Sequence, residues 1–426
     1  MIKISTKLMK KICILFFFIS GFTNSFSQDL INTGILSVSG ETILSGKNII
    51  NSTSGSIKVN GQLVIQNNLT NQGTINYDSP NNSWLKLTGS SSQLINSSST
   101  LKFGNLFIAN NSNVGITDSF IEINDSISIA TDGKLRLIGS SQIKQNHLAT
   151  SKVKSSGSLY KDVTGTNTSY YQSSYWSSPV SNHQSNTFTI ANVLKDGTTQ
   201  LSLDSNIIDI SFTDHSVLNG SGSTTPISIS SRWLAKLEND YDWKRQLDPN
   251  SEIFKPSIGW NMKSTGGKDG NSTQNYTFVG TPNDGTYTKT VSPGTSSLVG
   301  NPYPSVINTQ KFIQDNSAVI DGTLYFWEHT GESTTTGVVE GHGKHDYEGG
   351  YSQRNEAMGV AANSITDGTA GLGDATYTAP PQYIAVGQGF FVSAPANKGG
   401  TFTFDNSQRT YSANNHFFKG QNTNTI

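Results

Sequence analysis

Three segments near the N-terminus share one short pattern: Gly34-Ile35-Leu36-Ser37-Val38, Gly55-Ser56-Ile57-Lys58-Val59 and Gly73-Thr74-Ile75-Asn76-Tyr77. Each opens on glycine and then places apolar side chains at i and i+2, the period of a strand with one buried face. Their glycines stand 21 and 18 residues apart. The pattern returns in Trp84-Leu85-Lys86-Leu87, Phe120-Ile121-Glu122-Ile123 and Gly133-Lys134-Leu135-Arg136-Leu137. A unit of about 20 residues built from short strands predicts a parallel β-solenoid, in which each rung buries its face against the next. Ile57, Val59, Ile75, Ile121, Ile123, Leu135 and Leu137 then point inward.

Regular short strands between turns also suit an antiparallel sandwich. The corners favour the solenoid, because they carry Asn and Ser in similar places and side-chain amides stacked between rungs satisfy one another. A short stack leaves strand edges open at its two ends. The segment that follows is the natural cover for one of them.

Residues 1–27 read as a signal peptide. Lys3, Lys7, Lys10 and Lys11 precede an apolar run from Ile12 to Ile19, and Ser25 and Ser27 supply the small residues of a cleavage site before Gln28. The apolar run is far shorter than the ~20 residues that span a bilayer. The single cysteine, Cys13, lies inside it, so cleavage leaves a cysteine-free chain. Removing four lysines from 29 basic residues leaves 25 against 30 acidic ones, a balance of −5. That charge offers no footprint for nucleic acid and no polybasic membrane patch. Only 14% of residues are charged while 10% are aromatic, the composition of an extracellular all-β protein.

The expected organisation is a signal peptide (1–27), a solenoid (28–150), a Ser-, Lys- and Gly-rich linker (151–157), a β-sandwich or jelly-roll-like domain (158–420) and a polar tail (421–426). In the second domain aromatics become denser, and turn signals recur at Asp196-Gly197, Asn219-Gly220, Asn283-Asp284-Gly285 and Asp321-Gly322. One short helix is predicted over Asn308 to Asp315, with Asn308 as its cap and Phe312 and Ile313 as its apolar anchor.

Three motifs in this region, Leu298-Val299-Gly300-Asn301-Pro302-Tyr303-Pro304-Ser305-Val306-Ile307, Leu324-Tyr325-Phe326-Trp327-Glu328-His329 and Tyr383-Ile384-Ala385-Val386-Gly387-Gln388-Gly389-Phe390-Phe391-Val392, carry a family resemblance. Together they resemble the ectodomain that precedes the sorting signal in surface proteins of gliding and other Bacteroidota exported by the type IX secretion system. The resemblance spans roughly residues 170–418. It implies a secreted or surface-attached protein and no assigned catalytic residues. Such proteins continue into a further β-rich stretch and a C-terminal sorting domain, whereas this chain stops at Ile426, so the expectation is a shortened product of a longer protein, the alternative being export by another route.

Several groups invite a chemical reading. Glu340, His342, His345 and Asp346, with Glu348, offer imidazole and carboxylate ligands for a metal, but they lie in a Gly-rich stretch with no helical period to pre-order them. Glu238, Asp240, Asp242 and Asp248 fall near Trp233, Tyr241 and Trp243, which is the mixture a glycosidase uses: two carboxylates and rings to hold the sugar. Read as binding rather than catalysis, the candidates are Trp233, Tyr241, Asp242 and Trp243. Turns such as Asn283-Asp284-Gly285 suit weak calcium contact at most, since no twelve-residue loop of the required ligand spacing exists. Asp118, Glu122, Asp125 and Asp132 are the neighbouring acids of the solenoid, and Asp125-Ser126-Ile127 matches a short O-glycosylation motif. Tyr170, Tyr171, Tyr175 and Trp176 form the densest aromatic group; exposed they would be a stacking platform for sugar rings, and buried, the preferred reading, they are the first strand of the second core.

The reading is a non-enzymatic protein of adhesion or surface structure, with no cofactor, whose partners are extracellular glycans, surfaces or other cell-surface proteins. The alternative is a carbohydrate-binding or carbohydrate-active secreted protein.

Overall fold

A computed structural model describes residues 28–148, 150–166, 173–183, 185–197, 207–265, 273–329, 349–362 and 379–413. Residues 1–27, read above as a signal peptide, and the tail 421–426 lie outside this set.

The chain is all-β, and its N-terminal part is a parallel solenoid with three faces. On the first face Leu30–Asn32, Ile49–Asn51, Leu69–Asn71, Gln93–Ser97, Asn113–Thr117, Lys134–Ile138 and Ser158–Thr166 stack in parallel. The register pairs Leu30 with Ile49, Ile49 with Leu69, Leu69 with Ile95, Ile95 with Ile116, Ile116 with Leu137 and Leu137 with Lys161. Successive rungs are therefore 19, 20, 26, 21, 21 and 24 residues long. The long rung holds an inserted 3₁₀ turn, Pro80–Asn82. Ser56–Ile65 serves two faces, its start pairing with Thr74–Asn76 and its end with Trp84–Leu87. All seven residues assigned inward from the alternation are buried.

One corner carries a polar ladder. Asn32 Nδ2 donates to Asn51 Oδ1 at 2.8 Å, Asn51 Nδ2 to Asn71 Oδ1 at 2.7 Å, and Asn71 Nδ2 to Ser97 Oγ at 2.7 Å. Ser119 Oγ then accepts from the Ser97 amide at 2.8 Å, and Ser141 Oγ from the Ser119 amide at 3.2 Å. Each of these groups would be costly to bury alone, and each is satisfied by the equivalent group one rung away.

The ladder does not stop at residue 150. Val153–Ser155, placed in the expected linker, pairs in parallel with Ile127–Ile129. Ser158–Thr166 then continues the first face and pairs antiparallel with Thr273–Pro282, which in turn holds Leu194–Asp196. A further parallel pair, Ser211–Thr213 with Ser228–Ser230, follows. One hydrophobic cluster runs from Ile49 to Val386 without a break between the expected domains. Within the joined sheet, Arg136 makes a buried bidentate pair with Asp162 at 2.9 and 3.0 Å, and Thr277 Oγ1 donates to Asp162 at 2.6 Å.

Beyond this joint, Ser296–Gly300, Gly389–Ser393, Leu324–His329, Gly349–Arg354 and Gly359–Val360 form an antiparallel sheet. Its inner face packs on the pair Tyr287–Val291 and Gly400–Phe404 and on the helix Thr309–Asn316. Asn308 caps that helix as expected, its side chain accepting from the Lys311 amide at 3.0 Å. A second helix of one turn, Ile190–Val193, was not anticipated. Four residues are too few to show a helical period, and tertiary packing of Ile190 and Val193 sets it.

Candidate functional site

The Leu324–His329 strand alternates strictly. Leu324 and Phe326 enter the core, while Tyr325 and Trp327 face out. In the neighbouring strand Phe390 and Val392 enter and Phe391 faces out, and Tyr351 lies across from Trp327 on the other side. Two further rings reach this outer face from elsewhere. Tyr175 comes from the strand Ser173–Trp176, and Trp243 from the hairpin of Ala235–Glu238 and Asp242–Arg245.

The five rings are contiguous. Tyr175 stacks on Trp243 at 6.2 Å between centroids and meets Phe391 edge-on at 5.3 Å. Trp243 lies 6.4 Å from Phe391, Tyr351 5.8 Å from Phe391, and Trp327 5.2 Å from Tyr351. The Tyr175 and Tyr351 hydroxyl oxygens are 2.9 Å apart. Tyr351 is 40% exposed and the other four rings are half-buried, so the group is a platform and not a core. Gly389 lets it assemble. A Cβ there would stand 2.8 Å from Tyr175 Cβ and 2.9 Å from the Trp176 amide nitrogen, so no larger residue lets the two strands approach.

Burial pushes both phenols above their ordinary titration range, Tyr175 further raised by the Tyr351 phenol beside it. Both stay protonated near neutral pH and offer hydroxyl donors and acceptors beside uncharged ring faces. That combination suits a ligand with apolar C–H faces and hydroxyl groups.

The acids around the hairpin do different work. Asp240, with φ of 65°, sits at the turn and accepts from Lys289 Nζ at 3.0 Å, the Ser292 amide at 3.1 Å and Ser297 Oγ. Burial alone would raise its carboxyl, but these hydrogen bonds outweigh burial and hold it below the usual carboxylate range. Asp240 therefore pins the hairpin to its neighbours. Glu238 pairs with Lys236 at 3.2 Å, and Lys236 and Lys244 both pair with Glu252. Asp248 caps a turn through the Asn250 amide and Ser251 Oγ. Asp242 is exposed beside Trp243, and Tyr241 is 68% exposed at the tip.

Of the four contact candidates, Trp243 joins the platform, and Tyr241 and Asp242 flank it. Trp233 is engaged elsewhere: its indole N–H donates to the Leu218 carbonyl at 2.6 Å and its ring lies 4.5 Å from Lys263 Nζ. Trp176, read as core, is buried, whereas its neighbour Tyr175 is a platform residue; Tyr170 and Tyr171 lie outside the described residues. So do Glu340, His342, His345, Asp346 and Glu348.

The calcium expectation at Asn283–Gly285 does not hold for Asp284. Its buried carboxylate accepts from the Lys152 amide at 2.8 Å and Asn406 Nδ2 at 2.8 Å, with His147 Nε2 at 2.7 Å and Arg409 at 3.7 Å. Both oxygens latch the solenoid end to the C-terminal layers. Tyr303, between Pro302 and Pro304, is buried, and its hydroxyl donates to the Gly285 carbonyl at 2.7 Å. The solenoid acids are dispersed: Asp118 binds Ser140, Asp125 pairs with Lys152, and Glu122 lies in register with Lys102 and Lys144. The Ser126 hydroxyl donates to Asn105 Oδ1 at 2.6 Å.

Residues 80–426 match the family described as a domain of unknown function (DUF8693). The chain belongs to that family. Its matched span starts at Pro80, inside the solenoid, and so takes in the later rungs together with the layers that carry the platform. No curated protein and no solved structure matches the chain. Among the described residues no helix is long and apolar enough to cross a membrane.

Proposed function

We propose that this chain is a secreted or surface-displayed protein that works by binding, and that the ring platform holds glycan on a cell or surface. The platform is the observation that carries the reading. Five contiguous rings, four half-buried and one exposed, and a phenol pair offer stacking for the C–H face of a sugar and hydrogen bonds for its hydroxyls. Each ring contact contributes only about 0.5–1.5 kcal/mol. Display of many copies raises avidity by about 10²–10⁴ without a new contact. The lysine-led apolar run before Gln28 supports the export part of the reading, and the three motifs support a surface protein like those of the type IX route.

Hydrolysis is the less favoured alternative, because the Asp240 carboxylate is spent on the hairpin and Asp242 stands exposed opposite Glu238, whose carboxylate pairs with Lys236. A glycan array probed with residues 28–426, followed by equilibrium binding, tests the proposal. Trp243→Ala and Tyr351→Ala should each weaken the strongest binder about tenfold, equal to about 1.4 kcal/mol. Unchanged binding in both variants would remove the platform from the reading. Sustained release of reducing ends, abolished by Asp242→Asn, would replace it with an enzyme.

A further inference from the structure

The two ends of the solenoid are finished differently. At the C-terminal end a whole set of layers covers the last rung. Ser158–Thr166 pairs with Thr273–Pro282, the Ile143 amide donates to the Pro304 carbonyl at 3.1 Å, and Gln142 Nε2 donates to the Ser412 carbonyl at 2.6 Å. At the other end, Leu30–Asn32 pairs only with Ile49–Asn51, and Ile35–Gly46 pairs only with Ser56–Ile65. Neither strand has a partner on its outer side among the described residues. The same rung exposes Ile31 by 65%, Ile35 by 90% and Ile43 by 58%. The Asn ladder also ends here, at Asn32. An uncovered rung with open backbone edges and isoleucines is what terminal repeats are ordinarily shaped to avoid.

We infer that this end is covered by the same end of a second copy, so that the exported chain forms a head-to-head dimer. The open edges run around one rung: the first face contributes Leu30–Asn32 and the other faces Ile35–Gly46. A single foreign strand would satisfy one face and leave the rest open, whereas another rung end of the same outline meets them together. Within this chain the opposite end is already occupied, so head-to-tail stacking into a filament is blocked. The surviving arrangement is isologous and closed. It extends the rung-on-rung pairing that the solenoid already makes. Antiparallel self-pairing of Leu30–Asn32 centres on Ile31 and sets each Ile31 against its copy.

The cleaved chain has no cysteine, which makes the test direct. With Ile31→Cys in residues 28–426, the two facing Cβ atoms lie about 4.5–5.5 Å apart, close to the span a disulfide needs. Ile50→Cys, one rung further in, would lie three strand spacings from its copy, about 14 Å, out of reach. Light scattering of the unmodified chain should give twice the monomer mass, and mild oxidation should link Ile31→Cys chains while leaving Ile50→Cys chains single. Ile31→Lys combined with Ile35→Lys should weaken self-association by about tenfold or more, since like charges then face each other across the strands. Both sites are exposed, so the fold is expected to tolerate them. A chain that stays monomeric at all concentrations overturns the inference and leaves the edge to a strand of another protein. A dimer in which Ile31→Cys forms no link, or in which both variants link equally, overturns it as well.

Discussion

Lys161 shows how one residue records the change from solenoid to antiparallel layers. The register with Leu137 points it into the core, where it is completely buried and donates to the Gly139 carbonyl at 2.9 Å. Burial lowers its ammonium to about 8, with Asp162 and Asp118 opposing the shift. A lysine whose folded value lies below its unfolded value of 10.5 costs stability when charged. That cost is full below about pH 8 and disappears as the pH rises through 10.5. Lys161→Met should therefore raise the melting temperature at pH 7, by as much as about 3 kcal/mol of stability, and the gain should shrink above pH 10. A variant less stable at both pH values would show that the Gly139 bond outweighs the charge. At this scale the sequence was weakest. Tyr175 and Trp176 are adjacent and alike in composition, yet one joins the platform and the other the core, because strand alternation sends neighbours to opposite faces.

Elements were more legible, because period carries through a repeat. Alternation in Phe120–Ile123 and Lys134–Ile138 places Ile121 and Leu135 inside, where both are fully buried. Replacing either with Asp should cost more than about 4 kcal/mol, as a charge would be buried without a partner. Unchanged melting of both variants would contradict the register. Asn51 is a subtler case, since its amide bridges Asn32 and Asn71. Asn51→Ala strands two buried partners and should cost about 2–3 kcal/mol, more than Asn60→Ala at a half-buried site. Thermal melts of the pair check this. The glycine spacing of 21 and 18 foretold the 19- and 20-residue rungs, but not the 26-residue one, because the Pro80–Asn82 insertion adds no strand pattern. Val153–Ser155 carries no strand pattern of its own for a related reason. Three mostly polar residues read as a linker, and only pairing with Ile127–Ile129 makes them a strand. The alternating Leu324–His329 run did contain the signal for an outward Tyr325–Trp327 row, but no local pattern could say that Tyr175 and Trp243 would close on it.

For the whole molecule, the consequence of a shared sheet is shared stability. The first face passes from Ser158–Thr166 into Thr273–Pro282, and one apolar cluster spans the joint. Buried polar contacts cross it too: Asp284 with His147 and Asn406, Arg409 with the Ile143 carbonyl at 2.6 Å, and the Asn406 amide with the His147 carbonyl at 2.9 Å. Cutting at residues 151–157, where composition suggested a boundary, would expose the Ile143 and Lys134–Ile138 edges and leave Arg136 without Asp162. Removing one partner of a buried ion pair costs about 3–5 kcal/mol, comparable with the ~5–15 kcal/mol that holds a domain together. Residues 28–426 should therefore melt in one transition, with calorimetric and van't Hoff enthalpies equal. Residues 28–150 alone should melt far lower and bind a hydrophobic dye, and residues 158–426 alone should fail to give a cooperative transition. Two well-separated transitions in the intact chain, each reproduced by its fragment, would mean that the joint is a contact between independent domains and that the polar latch at Asp284 contributes little.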